Sequence, residues 1–549
     1  VPRTGLATRV VAIAVAFCLA ITACAVEPDT VELSIEPNTR AALEARSVND
    51  ELLDPVDEIP TNEAGEQLLE RVISGTFATD ECVVDVSGLP VVPECGWLTR
   101  PLHGAYVDDI ELPVMIFRAT GETPSTTPMM YLHGGPSDGI LSFFDPEIVI
   151  DPVMLYDFII EPWIATRDVI VFDQRGTGLA EPDLGCDGPQ LWFNARDEDP
   201  ETFVPRTAST CATTLRLKGI RMDQFSRQTS ADDVMVLARE LGHEQVDLHG
   251  SSWGGILAYT VAQMHPDIVR SSVLDSPLSI ETDLTGSMPG SFREAMQGMQ
   301  DNCDQSSACR ARHGDIIARY VRVFEALEEQ PAQVLIWDIY PIELTADDLS
   351  YLLFSLFYQP DAIAMIPDLL LDLENGNVSL LEDLTNEHGW GWGVDFTFLT
   401  YMCTDIVEAS SPEQVEAQQI GIPAFDRVDD APDGRGHTAQ GMCERMQVRH
   451  PGDPAVREVT PTTPMLVFAG SMDPITPFSS GQQIANDIPN GVFVGFDDLS
   501  HGVTSDPCAI SIALEFLDDP SLEPDLTCSM PENRPPFEFA QVALTVPAS

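Results

Sequence analysis

Gln245-Val246-Asp247-Leu248-His249-Gly250-Ser251-Ser252-Trp253-Gly254-Gly255 is the stretch whose reading decides the fold of this chain. Its first five residues form a short β-like run, and Ile256 to Ala262, just beyond it, is apolar and compatible with a helix. Between them lies G-x-S-x-G. Glycines at 250 and 254 are expected to let the backbone bend tightly around Ser252 and leave its Oγ exposed. A serine at the tip of a strand-to-helix turn is placed as a nucleophile. Gly/Ser runs also make ordinary turns, so the rest of the chain must supply a base, an acid and donors for an oxyanion.

Leu499-Ser500-His501-Gly502 offers the base, in a loop after the last candidate strand and before a helix at Cys508–Leu517. The acid has to orient the imidazole and stabilise its charged form. Asp473, in Gly470-Ser471-Met472-Asp473-Pro474, follows a buried-looking strand. Asp275, in Val273-Leu274-Asp275-Ser276-Pro277, likewise ends a strand and is the rival. Asp473 is preferred because it follows the late strand nearest His501 in chain order. The order Ser252, Asp473, His501 is the one that the α/β-hydrolase arrangement uses. Tyr131-Leu132-His133-Gly134-Gly135-Pro136 follows another strand, where the N–H groups of Gly134 and Gly135, with that of Trp253, would form an oxyanion hole.

Outward from this centre, short apolar runs alternate with helical patterns, which predicts a mostly parallel α/β sheet. Candidate strands are Val114–Arg118, Met129–His133, Asp168–Phe172, Gln245–Leu248, Ser271–Leu274, Met465–Ala469 and Val492–Phe496. Ser230 reads as the N-cap of a helix Ala231–Leu241. The strand pattern stops near Pro277 and resumes near Pro464. Helical runs at Asp315–Glu329 and Thr345–Tyr358, and the aromatic segment Trp390 to Phe396, fill the gap. The expected organisation is thus an α/β-hydrolase core over 71–277 and 461–549, with a helical cap inserted over 278–460. A cap at that point would cover the strand ends, where open sheets bind ligands.

The N-terminus reads as an export signal. Arg3 and Arg9 precede an apolar stretch, Val10 to Ala20, too short to span a bilayer comfortably. Ile21-Thr22-Ala23-Cys24 resembles a bacterial lipobox, so 1–24 is expected to be a signal peptide and Cys24 a lipidation site on a membrane surface. Residues 25–70 are acidic and proline-dotted, with one helical stretch near Thr61–Ile73, and read as a tether. The formal charge of −60, from 88 acidic and 28 basic side chains, repels phosphate backbones and argues against nucleic acid as a partner. Of 12 cysteines, an even set remains after Cys18 and Cys24, which suggests disulfides in an exported chain, paired between sequence neighbours. The Cys and His spacings give no metal site, and no cofactor is expected.

His133-Gly134-Gly135-Pro136, Asp173-Gln174-Arg175-Gly176-Thr177-Gly178, the Ser252 turn, Asp473 with Thr476-Pro477, and His501-Gly502 together resemble the prolyl iminopeptidase/tripeptidyl aminopeptidase family of serine hydrolases, over roughly residues 90 to 530. Cys95 before Pro101-Leu102 is similar to the secreted, disulfide-bearing actinobacterial branch. The resemblance implies release of amino acids or short peptides from free N-termini, without a metal. An esterase or lipase with the same triad is the alternative. Asp173 and Arg175 are read as structural. Thr476 is read either as a partner near Asp473 or as a helix cap. Ser137 and Ala180 depart from the family's glycine and serine at those places. Asp405, with Glu408 behind it, is the candidate carboxylate for the substrate's ammonium, because the family has a similar C-x-D element there.

Overall fold

The computed structural model describes residues 74–101, 109–144, 152–185, 200–278, 284–336, 340–388, 396–406, 419–429, 443, 446–448 and 459–540. The signal-like segment, Cys24, the acidic tether with its helical stretch, Cys186, Trp390, Trp392 and Glu408 lie outside them. Contacts divide the chain into Val1–Ser74 and Gly75–Ser549, and every element below belongs to the second unit.

Eleven strands are described. They are β1 (Thr76–Thr79), β2 (Glu94–Pro101), β3 (Asp109–Phe117), β4 (Met129–Leu132), β5 (Val169–Phe172), β6 (Val246–Ser251), β7 (Val269–Asp275), β8 (Ala332–Ile336), β9 (Tyr340–Leu344), β10 (Met465–Gly470) and β11 (Gly491–Phe496). Nine of them form one sheet in the order β1-β2-β3-β5-β4-β6-β7-β10-β11. Pairing is antiparallel from β1 to β5 and parallel from there to β11. All seven expected strands are present, in an α/β-hydrolase fold.

Both sheet faces are buried. Val114, Ile116, Met130, Leu132, Ile170 and Phe172 pack into one core. Their sequence neighbours Met115, Phe117, Met129, Tyr131, Val169 and Val171 pack into the other. The period-two alternation of a strand does this, and burial on both sides explains why these runs are continuously apolar rather than alternating with polar residues.

Three features differ from the sequence reading. β1 and β2 were not expected: β1 is a short, largely exposed edge, and β2 carries Gly96 and ends in Pro101, which blurs a strand pattern. The insert between β7 and β10 is mainly helical among its described residues but also holds the antiparallel hairpin β8–β9, whose second strand contains Pro341. The helix before β6 begins four residues before the expected start. It spans Arg227–Glu240, with Ser226 as N-cap in a capping box with Thr229. Ser230 lies within the helix, where its hydroxyl meets Tyr401 Oη at 3.1 Å.

The expected insert helices are seen at Ile316–Glu329, capped by Asp315, and Ala346–Leu356, capped by Thr345. The cysteine pairs Cys82–Cys95, Cys303–Cys309, Cys403–Cys443 and Cys508–Cys528 join sequence neighbours. Cys211 is disulfide-bonded as well. These bridges are consistent with an oxidising, exported location. Among the described residues, no helix is long and apolar enough to cross a membrane and no His/Cys/Asp/Glu cluster is arranged for a metal ion.

Candidate active site

Ser252 joins β6 to the helix Trp253–Met264, with φ 56° and ψ −119°. A non-glycine residue there stores roughly 1–3 kcal/mol of backbone strain, and such a strained turn lifts a side chain out of the sheet. The two motif glycines have a different task from the one expected. Neither has a positive φ. They are required because backbones pass close by. A Cβ on Gly250 would fall 2.1 Å from Gly254 O, and one on Gly254 would fall 2.0 Å from Leu132 O. The serine takes the strained conformation, and the glycines allow helix and strand to close around it.

The same close approach brings in the loop after β4. A Cβ on Gly134 would meet Ser252 Cβ at 3.1 Å and Ser251 O at 3.2 Å. Gly135, at φ 115°, needs the freedom of glycine. The loop is pinned from behind by Gln174, whose Nε2 donates to His133 O at 3.0 Å, a contact that sequence reasoning missed. The Trp253 N–H is in the first turn of its helix, so it has no intrahelical acceptor and is aimed outward from the helix start. Its indole is buried edge-on against Tyr401, with ring centroids 5.0 Å apart. Burial pushes the His133 imidazole down to about 4, so it is neutral at physiological pH.

Asp473, just beyond β10, is buried. Its Oδ1 accepts the N–H groups of Ile475 and Thr476 at 3.0 and 2.8 Å. Its Oδ2 accepts the Thr476 hydroxyl at 2.5 Å and lies 2.7 Å from His501 Nδ1. Thr476 Oγ1 is also 3.1 Å from that nitrogen. Of its two readings, the contact with Asp473 is the one seen, because the following helix Phe478–Asp487 has Pro477 at its N-cap. Burial alone would lower the His501 pKa. The adjoining Asp473 carboxylate, its hydrogen bond and the more distant charge of Asp275 outweigh burial and hold it above the ordinary value of 6.5.

Asp275 does not take the imidazole. Its carboxylate instead binds the turn after His501, with Oδ1 accepting from Val503 N and Oδ2 from Thr504 N. Asp173 and Arg175 hold loops. Asp173 accepts the Leu141 and Leu179 N–H groups at 2.9 and 2.8 Å. Arg175 forms a two-pronged pair with buried Asp233 at 2.7 and 2.6 Å. Ala180 is buried in the same loop.

The insert reaches this site. Tyr358 places its ring 5.1 Å from that of His501, and Ser500 Oγ donates to Phe357 O. Residues Phe396–Ile406 are fastened to the core through Thr397 Oγ1 to Gly176 O, Tyr401 Oη to Arg175 O and Thr404 Oγ1 to Phe225 O, each 2.9 Å. Asp405 sits here, and its Oδ2 accepts the Arg227 N–H at 2.8 Å at the start of the Arg227–Glu240 helix.

Comparison with known proteins bears on the fold. Residues 127–312 match the family described as alpha/beta hydrolase fold, and residues 433–528 match the family described as TAP-like protein. The tripeptidyl aminopeptidase of Streptomyces lividans is 27% identical over 221 residues, covering 37% of this chain and 38% of that protein. The proline iminopeptidase of Lactobacillus crispatus (strain ST1) is 26% identical over 164 residues, covering 30% of this chain and 40% of that protein. The matched region thus spans about two-fifths of the length of these curated relatives. A crystal structure of proline iminopeptidase from Mycobacterium smegmatis is 15% identical, covers 77% of this chain and 94% of that one, and has a TM-score of 0.29. The chain thus has the α/β-hydrolase fold with a TAP-like match in its C-terminal part, and it is similar to tripeptidyl aminopeptidases and proline iminopeptidases.

Proposed function

We propose that this protein is an exported serine aminopeptidase that releases amino acids or short peptides from free N-termini, held at a membrane surface by a lipid on Cys24. The observation that carries the catalytic part is the 2.7 Å pairing of His501 Nδ1 with buried Asp473, in a fold that sets Ser252 on a strained turn against the Gly134 loop. Ser252 Oγ attacks the scissile carbonyl carbon and its proton passes to His501 Nε2. The N–H groups of Trp253 and of the Gly134-Gly135 loop receive the developing oxyanion. As the C–N bond breaks, the imidazolium returns the proton to the leaving amine. Water, deprotonated by the same imidazole, then attacks the acyl carbon, and as the bond to Ser252 Oγ breaks the imidazolium returns the proton to that oxygen, releasing the acid and restoring the serine.

The peptide substrate is supported by the peptidase relatives, and Asp405 and Glu408, both in the sequence of the insert, are proposed to receive its ammonium. Asp405 already caps a helix through Oδ2, so an Asp405→Asn variant distinguishes the two tasks. An ammonium partner predicts a KM for unblocked peptides raised about tenfold with kcat nearly kept, the effect of losing about 1.4 kcal/mol of charge-assisted binding. An unchanged KM leaves Asp405 to capping alone. The wider reading is tested by comparing unblocked peptides, their N-acetylated forms and simple esters. Cleavage confined to unblocked peptides is expected. Equal turnover of acetylated peptides, or turnover of esters only, would sink the aminopeptidase reading in favour of an esterase.

A further inference from the structure

Asp275 is the most heavily engaged carboxylate near the site that the mechanism above does not use. It ends β7 and is 1% exposed. Oδ1 accepts from Val503 N at 2.8 Å and from Ser276 Oγ at 3.1 Å. Oδ2 accepts from Thr504 N at 2.9 Å and from Thr504 Oγ1 at 2.5 Å. Those amides lie two and three residues beyond His501. The Asp275 carbonyl accepts the Ser252 N–H at 2.8 Å. Ser276 Oγ accepts the N–H of Gly502, the residue that follows His501, at 3.1 Å. One strand end therefore grips the backbone of the candidate nucleophile and the loop that bears the candidate base.

We propose that Asp275 is a positioning residue for His501, fixing the base loop relative to Ser252 and, by its charge, favouring the imidazolium that forms as Ser252 attacks. The proposal rests on the serine-hydrolase reading. The surrounding groups leave Asp275 undivided in its role. His249, on β6, meets Thr504 Oγ1 through Nε2 at 3.2 Å. Burial, only partly opposed by Asp275, brings the His249 imidazole down to about 4, so it stays neutral in the working range. Its Nδ1 has no hydrogen-bond partner among the described residues, which fits a proton on Nε2 donated to Thr504. Thr504 is then free to direct its own proton to Asp275. Tyr131, packed edge-on to His249, is also pushed up by burial and is uncharged. The groups facing His501 are thus Asp473 and Thr476 from the β10 side, Asp275 from the β7 end, and the ring of Tyr358 from the insert.

The test is the rate at which a fluorophosphonate probe labels the full chain, measured against pH, which requires no knowledge of the substrate. Labelling needs neutral His501, so it rises with pH through the imidazole's titration. Asp275→Asn keeps the shape and removes the charge. It should slow labelling at the plateau by 10- to 100-fold and move the acid limb to lower pH. A slower plateau with the limb unmoved would mean that Asp275 merely braces the loop, and would overturn the charge part of the proposal. A plateau unchanged would overturn it entirely. If Asp275→Asn does not fold, Ser276→Ala with Thr504→Val takes over. That pair strips two hydroxyl donors while keeping the charge, so the limb should move up, and a limb that stays or falls overturns the proposal. Wild-type protein that is not labelled at all removes the serine-hydrolase reading and this inference with it. Labelled wild type with both plateau and limb unchanged in Asp275→Asn removes only the inference.

Discussion

Asp473 and Asp275 are the same chemical group in matching places, and they do different work. Both lie at the C-terminal ends of neighbouring parallel strands, β10 and β7, where Phe468 pairs with Asp275. Both are 1% exposed, and each carboxylate receives hydrogen bonds from two backbone N–H groups and a threonine hydroxyl. They differ in what else each receives. For Asp473 it is an imidazole; for Asp275 it is the hydroxyl of its neighbour Ser276. Strand-end position and burial thus make a good acceptor, while the path of the 498–506 loop decides which acceptor orients the base.

Substitutions can break this contrast in graded steps. Asp473→Asn should be the most severe, lowering kcat by about 10⁴-fold, because an amide in place of the acceptor favours the wrong imidazole tautomer. Asp275→Asn should fall well short of that, and if the two variants were equally impaired the division of labour would be wrong. The pH profile carries the same contrast. With His501 held above its ordinary value by the two carboxylates against the pull of burial, wild-type kcat/KM should rise with pH through a midpoint above 6.5. Removing either charge lowers that midpoint, and the nearer Asp473 should lower it more.

Thr476→Val comes next. It deletes one hydroxyl donor to the Asp473 carboxylate, about 1.5 kcal/mol at the low end for a charged acceptor, and so at least about tenfold in kcat/KM. A loss as large as that of Asp473→Asn would make the threonine, and not the carboxylate, the main orienting group. The smallest effect is expected at Arg534. Its guanidinium spans the base loop, bonding Asp498 at 2.7 Å and Asp506 at 2.9 Å, on either side of His501. Both pairs are partly shielded, so Arg534→Ala should cost about 1 kcal/mol in thermal stability and a few-fold in kcat. Its signature would be greater sensitivity of activity to temperature, with the acid limb unmoved.

What the sequence revealed follows the same divide. Most of the seven strands were legible because they are apolar runs buried on both faces, as with Met129–Leu132 and Met465–Gly470, while β11 is largely half-buried. The Ser252 turn and the Asp473–His501 pair were legible as ordered motifs. The choice between Asp473 and Asp275 rested on chain order alone, since both read as an aspartate closing a strand. The grip of Asp275 on Val503 and Thr504 was invisible because it passes through backbone amides, which carry no residue signature. The hairpin β8–β9 was hidden by five-residue strands and Pro341. The start of the Arg227–Glu240 helix was misplaced because Ser226 and Ser230 are both plausible caps by composition. Only the capping box with Thr229 separates them.

The most direct test of the central claim is mass-spectrometric mapping of the residue modified when the folded, full-length chain reacts with a fluorophosphonate. The account predicts one adduct, on Ser252, absent from Ser252→Ala and from heat-unfolded protein, and strongly reduced in His501→Ala. An unmodified Ser252, or an adduct persisting at another residue in the Ser252→Ala protein, would contradict it.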